Sequence, residues 1–199
     1  TGGVSPFNKS IGQYNSAYFD WVITIFMFLA GTKFTLHYLF LKGKWNIFWK
    51  DDEFRFYSVV TAASILATFF LLLYSGTYES VADALRYAAF QVVSMITTTG
   101  FVTADYEKWH FGIQVILVLL MFIGGCSGST GGAIKSLRVM IVMRHIKAEL
   151  QRILHPHGIT ACRVCGKPLP RETVSSVTAF FILYIVTFAL GGVIMACLG

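Results

Sequence analysis

Residues 80–101 read S-V-A-D-A-L-R-Y-A-A-F-Q-V-V-S-M-I-T-T-T-G-F. As far as Ile96 the run is helical in composition and fairly apolar, with Asp83 and Arg86 in its first half. A helix over 80–96 is only about 25 Å long at 1.5 Å per residue. That falls short of the roughly 30 Å hydrocarbon core of a bilayer. The run then meets Thr97, Thr98, Thr99 and Gly100. Three β-branched residues favour extended backbone, and glycine opens positive φ. A helix that enters a membrane and a short extended segment that returns make a re-entrant loop. Such backbone is tolerated at membrane depth only where protein or water surrounds it.

The flanking sequence supplies the membrane. Of the 199 residues, 55% are hydrophobic and 13% charged, against about a quarter charged in globular proteins. Apolar stretches at 18–41, 56–74, 111–143 (interrupted) and 174–198 reach or approach the roughly 20 residues that a spanning helix needs. Loop 42–55 carries Lys42, Lys44, Lys50 and Arg55. Segment 135–172 carries Lys135, Arg138, Arg144, Lys147, Arg152, Arg163, Lys167 and Arg171 against Glu149 and Glu172. Basic loops stay cytoplasmic, so these two face inward and 78–110 faces outward. The net charge of +6 follows from this sorting, and no nucleic-acid motif accompanies it. The chain opens on Thr1 and closes beside an apolar run. It reads as an excerpt of a longer protein.

The chemistry expected of the 97–101 turn is cation binding. The negative end of the helix dipole lies where the helix stops, and carbonyls and hydroxyls can replace the water around a monovalent ion. No carboxylate lies between Thr97 and Thr103, which argues against a divalent site. The competing reading makes Gly100 the C′ residue of an ordinary surface helix. A repeat favours the loop. Thr1-Gly2-Gly3-Val4-Ser5 precedes a polar stretch and an apolar segment, as does Thr98-Thr99-Gly100-Phe101-Val102. Gly3 and Gly100 are 97 positions apart, consistent with one unit repeated at roughly a hundred residues.

With I-T-T-T-G-F-V-T-A-D-Y at 96–106, G-G-C-S-G-S-T-G-G-A-I-K-S-L-R at 124–138, E-L-Q-R-I-L-H-P-H at 149–157 and D-D-E-F-R-F-Y at 51–57, the chain resembles the TrkH-like members of the Trk/Ktr/HKT potassium transporter superfamily. The resemblance covers nearly the whole chain. It implies an all-α integral membrane fold of repeated helix–pore loop–helix units, with a re-entrant pore helix and a broken transmembrane helix. On it, 1–41 is the end of the second filter and its outgoing helix, and 42–55 is a cytoplasmic loop. Segment 56–154 is the complete third unit, 155–173 a second cytoplasmic loop, and 174–199 the first helix of the fourth unit. Thr97, Thr98, Thr99, Gly100 and Phe101 would line the third K+ filter segment, with K+ at Thr98 and Thr99. Thr1, Gly2, Gly3 and Val4 would belong to the second.

The second motif interrupts an apolar segment with Gly124, Gly125, Cys126, Ser127, Gly128, Ser129, Thr130, Gly131 and Gly132. Five glycines in nine positions cost about 1 kcal/mol each in helix propensity. One reading is a G-x-x-x-G packing ladder of Gly124, Gly128 and Gly132. The resemblance implies instead an intramembrane gating loop below the filter. No phosphate-binding loop can be laid over these residues.

Lys33 lies inside an apolar segment and is expected to snorkel toward headgroups, with a pore-facing role as the alternative. Lys135 and Arg138 are expected to share a helix face as inner-mouth charge. His155, His157, Cys162 and Cys165 suggest zinc, but their spacing fits no common site, and no structural metal is expected. The cysteines form no secreted disulfide framework, and no Ser-His-Asp arrangement is supported. The expected function is K+ uptake by a non-enzymatic pore subunit in the plasma membrane, the inner membrane of a bacterium. The resemblance implies a homodimer of full-length subunits, a cytoplasmic nucleotide-binding regulatory partner, contact with membrane lipid, and K+ as cargo with no covalent cofactor. The runner-up is a secondary transporter that uses broken helices for another solute. A membrane metalloenzyme or a structural helical subunit is a third class.

Overall fold

The computed structural model describes residues 3–7, 10–155, 163–164 and 167–198. Thr1, Gly2, His157, Cys162 and Cys165 lie outside the described residues. In chain order the helices are α1 (Ala17–Ala30), α2 (Phe34–Leu41), α3 (Ile47–Lys50), α4 (Asp52–Tyr74), α5 (Val81–Ile96), α6 (Phe111–Ile123), α7 (Ser136–Leu154) and α8 (Arg171–Leu198). A two-residue antiparallel pair, Arg163–Val164 with Lys167–Pro168, precedes α8. Among the described residues the regular structure is otherwise helical. Helices α4 and α8 are each long and apolar enough to cross a membrane, and α1 with α2 would make a third span bent by 99°.

The chain divides into two units, Thr1–Ser136 and Leu137–Gly199. The first is organised around α5. Ser80 begins this helix, its Oγ accepting the Asp83 amide at 3.4 Å. Every residue from 88 to 94 is buried, because α1, α4 and α6 all pack on α5. A surface helix would expose a polar face; this one has none through its second half. Ala84, Ala88, Val92 and Ile96 recur every fourth position and meet Tyr57 and Leu72 of α4 and Ile113, Leu117 and Leu120 of α6. Met27 of α1 packs with Phe90 and Val93 on another side. In lipid, apolar burial gains little from leaving water. Such contacts hold through close van der Waals fit, which small residues such as Ala84 and Ala88 permit.

The apolar run at 18–41 does not form one outgoing helix. Gly31 ends α1, Thr32 Oγ1 donates back to the Leu29 carbonyl at 2.6 Å, and the chain turns before α2 begins at Phe34. The break persists because residues far along the chain take the freed carbonyls. The Cys126 amide donates to Gly31 O at 2.8 Å and the Thr130 amide to Ala30 O at 3.4 Å. Loop 42–55 is partly helical: it contains α3 and the start of α4, where Asp51 accepts the Phe54 amide at 2.9 Å.

Candidate functional site

The turn after α5 is not extended. Thr97 stays in the right-handed helical region, while Thr98 has φ +54°. The amide of Thr99 donates to Ser94 O at 2.9 Å and that of Thr98 to Met95 O at 3.0 Å. This is a Schellman turn with Thr98 at the left-handed position that glycine usually fills. Helix-capping bonds thus override the extended preference of three threonines. Thr97 Oγ1 donates to Val93 O and lies 2.8 Å from Thr99 Oγ1. Thr97 and Thr99 are both buried. Ser94 Oγ donates to Phe101 O at 2.7 Å and so folds the returning strand back onto α5. Gly100 has φ +80° with nothing near the place where a Cβ would stand.

The segment around Gly3 lies against this turn. A Cβ on Gly3 would collide with the Thr99 carbonyl oxygen and would sit 3.2 Å from Gly100 Cα. Farther along, the Gly12 amide donates to Val102 O at 3.1 Å, and Ser10 Oγ accepts the Val102 amide at 3.3 Å. The two glycine segments paired by sequence position therefore meet in space, while Val4 is largely exposed.

The 124–132 loop separates α6 from α7. Its residues are non-helical, so Gly124, Gly128 and Gly132 form no helical packing ladder. Gly124 and Gly128 adopt φ of +71° and +76°. Ser136 seals the loop's base, its Oγ donating to Gly124 O at 2.8 Å and its amide to Gly125 O at 3.0 Å. Ser129 Oγ donates to Cys126 O at 2.6 Å, Thr130 Oγ1 donates to Ala30 O at 3.2 Å, and Gly128 O accepts the Phe34 amide at 3.3 Å. At the far end Gly132 donates its amide to Thr98 Oγ1 at 2.6 Å. A Cβ on Gly131 would stand 3.1 Å from Thr97 O. The loop thus touches both the turn after α5 and the break after α1. Three helices, α1, α5 and α6, end within this one region.

Lys33 does not snorkel. Its Nζ lies 2.8 Å from Asp51 Oδ2 and 2.7 Å from Glu53 Oε2. Glu53 is 1% exposed, and its Oε1 accepts the Ser127 amide at 2.5 Å. Two acidic residues within D-D-E-F-R-F-Y therefore reach the site, and sequence reading gave neither of them a role. The signal was an acidic triplet inside an otherwise basic loop.

Lys135 and Arg138 do not share a helix face. Lys135 has φ +80° and precedes α7, its Nζ donating to the carbonyls of Gly131 and Ser129. The loop has not yet given way to helix at that residue. Arg138 stacks its guanidinium over the Phe180 ring at 4.1 Å. No group of three or more His, Cys, Asp or Glu able to hold a metal occurs among the described residues. His155 is exposed.

A family model described as TrkH, cation transport protein, matches residues 1–199. The Trk system potassium uptake protein TrkH of Salmonella typhimurium is 34% identical over 188 residues, covering 94% of this chain and 39% of that protein. Its namesake in Vibrio parahaemolyticus is 36% identical over 190 residues, again 94% and 39%. The crystal structure of the potassium transporter TrkH from Vibrio parahaemolyticus superposes with a TM-score of 0.90 at 34% identity, covering 94% of this chain and 41% of that one. The chain therefore spans about two-fifths of the length of these relatives. Their names are those of transport proteins rather than enzymes. With its buried α5, its interrupted α6–α7 segment and a match along its whole length, the chain belongs to the TrkH family of cation transport proteins.

Proposed function

We propose that this chain is part of a K+ uptake pore subunit in a bacterial inner membrane, and that it contributes one complete pore loop and the tail of another. The carrying observation is the convergence of three helix C-termini, at Ala30, Ile96 and Ile123, on one region. Each C-terminus carries roughly half a negative charge on its outer carbonyls. Together they favour a cation through carbonyl dipoles, while the two carboxylates that reach the region, Asp51 and Glu53, are held by Lys33. A solute transporter for an anionic substrate would aim helix N-termini at its site, so the convergence argues against that second reading.

In the proposed mechanism K+ sheds water at the level of Thr98 and Thr99. Carbonyls and hydroxyls of 97–101, of 1–4 and of two further pore loops of the full-length protein replace it. The positive φ of Gly100 and the open space beside it leave that stretch of backbone free to face an ion path. The ion then meets the 124–132 loop, which acts as a gate, with the positive charge of Lys135 at the inner mouth. Segment 56–154 is the third of four such units, flanked by the end of the second and the start of the fourth. The full-length protein works as a homodimer in lipid, controlled by a cytoplasmic nucleotide-binding partner. The multi-component naming of the relatives supports a partner of some kind.

The test is Gly100→Ser in the full-length protein, reading K+ and Na+ uptake in cells that lack other K+ importers. Reduced K+ uptake with a raised share of Na+ is expected. Unchanged flux and selectivity would remove the filter assignment.

A further inference from the structure

We infer that Glu53 is a positioning residue that latches the 124–132 loop from the first turn of α4, an inference that rests on the reading of that loop as a gate. Glu53 is buried at 1% exposure, and its two oxygens do different work. Oε1 accepts the Ser127 amide, 74 residues away, at 2.5 Å. Oε2 lies 2.7 Å from Lys33 Nζ. The same ammonium reaches Asp51 Oδ2 at 2.8 Å, and Asp51 in turn caps α4 through the Phe54 amide. One cation at the α1–α2 break therefore fixes two carboxylates at the start of α4, and one of those carboxylates grips the loop.

Stability alone is a poor reason for this arrangement. Burying an ion pair forfeits hydration that the pair's attraction often fails to recover, and a neutral carbonyl would satisfy an amide. The loop's bonds to Gly31, Ala30 and Thr98 do join neutral groups. A carboxylate acceptor makes a shorter and stronger bond than these. Its position also matters. Glu53 sits two residues beyond the 42–51 segment, so a displacement of that segment moves Asp51 and Glu53 together and withdraws the acceptor from Ser127. The latch thus links the first turn of α4 to the loop.

Cys126 supplies the readout, because it is fully buried within the loop and becomes reactive only when the loop moves. In full-length protein with Cys126 as the sole thiol, reconstituted in proteoliposomes, two quantities are measured without activation. These are the rate of labelling by a small methanethiosulfonate reagent and the resting Rb+ flux. Glu53→Ala is expected to raise both by about tenfold or more, with K+ over Na+ preference unchanged. Glu53→Gln, which keeps the shape and one acceptor, is expected to raise them less. Should the alanine variant not fold, the glutamine variant decides. Asp51→Asn retains capping ability and leaves the Ser127 acceptor in place but weakens the hold of Lys33 on the start of α4, so a rise clearly smaller than that of Glu53→Ala is expected of it. Wild-type labelling and flux in the Glu53 variants overturn the inference. So does an Asp51→Asn effect as large as that of Glu53→Ala, which would mean a loosened helix start. Deleting 127–130 separates the two levels. Raised resting flux on deletion with inert Glu53 variants removes the latch alone, and unchanged flux on deletion removes the gate reading and the latch with it.

Discussion

Thr98 Oγ1 accepts the Gly132 amide at 2.6 Å, tying the turn after α5 to the loop after α6 across 34 residues. Thr98 makes this bond from a left-handed backbone, φ +54°, which costs a β-branched residue about 1–2 kcal/mol. Strain of this kind persists when surrounding structure holds it in place. Thr98→Gly should therefore relieve strain and raise the melting temperature of the purified full-length protein, while uncoupling turn from loop and lowering K+ uptake. Thr98→Ser should keep the bond and most of the uptake. A stabilised glycine variant with full, normally regulated uptake would show that the bond has no functional part.

Gly124 and Gly128 have nearly the same φ, +71° and +76°, but different neighbours. A Cβ at Gly124 would stand 2.7 Å from Gly132 O and 2.9 Å from Ala133 Cβ, whereas at Gly128 it would meet nothing within 4 Å. Gly128→Ala therefore carries only the left-handed penalty of about 1–2 kcal/mol. Gly124 also has ψ 176°, in a region essentially confined to glycine. Gly124→Ala adds a collision with backbone that cannot rotate away, and overpacking typically costs about 1–3 kcal/mol more. Thermal unfolding in detergent should rank the variants wild type, Gly128→Ala, Gly124→Ala. Equal melting temperatures for the two alanine variants would contradict the packing of the loop base.

Much of this arrangement was legible in the sequence, for local reasons. The helix expected at 80–96 is observed as Val81–Ile96, because Ser80 caps it and apolar periodicity sustains it. The interruption at 124–132 followed from five glycines in nine positions. What escaped reading depends on partners distant in the chain. The 99° bend between α1 and α2 hides in an apolar run, since its carbonyls are satisfied by Cys126 and Thr130. Lys33 reads as a snorkelling lysine until Asp51 and Glu53 are brought beside it. The threonine turn was misjudged for a different reason: intrinsic β preference predicts extended backbone, and Schellman bonds to Ser94 and Met95 outweigh it.

Gly31 stands where the end of α1 meets α4 and the turn after α5. A Cβ there would lie 2.5 Å from Tyr57 Oη and 2.8 Å from Thr97 Cγ2. Gly31→Ala should destabilise the full-length protein by about 1–3 kcal/mol through overpacking. It should also lower K+ uptake by pushing Thr97. Tyr57 Oη donates to Phe28 O at 3.2 Å, so Tyr57→Phe loses that bond but vacates the space. The double variant should melt above Gly31→Ala alone. A double variant that melts lower, with additive losses, would mean that the hydroxyl is not the obstacle.

At the opposite end of α5, Arg86 Nε lies 3.5 Å from Asp20 Oδ2 on α1, with side-chain exposures of 12% and 5%. Arg86 also reaches Asp83 at 3.0 Å and stacks over the Tyr87 ring at 4.5 Å. Asp83 is 45% exposed and can be hydrated, so the cost of losing Arg86 falls on Asp20. Arg86→Met leaves a buried carboxylate without its cation, a change worth about 3–5 kcal/mol when one partner of a buried pair is removed. Asp20→Asn leaves Arg86 with Asp83 and should cost less. The double variant, with no stranded charge, should recover most of the loss. Melting temperatures of the three full-length variants check this order, and K+ uptake should follow it, because the pair sets where the first half of α5 meets α1. A double variant no more stable than Arg86→Met would show that guanidinium packing on Tyr87, rather than charge pairing, holds the helix start.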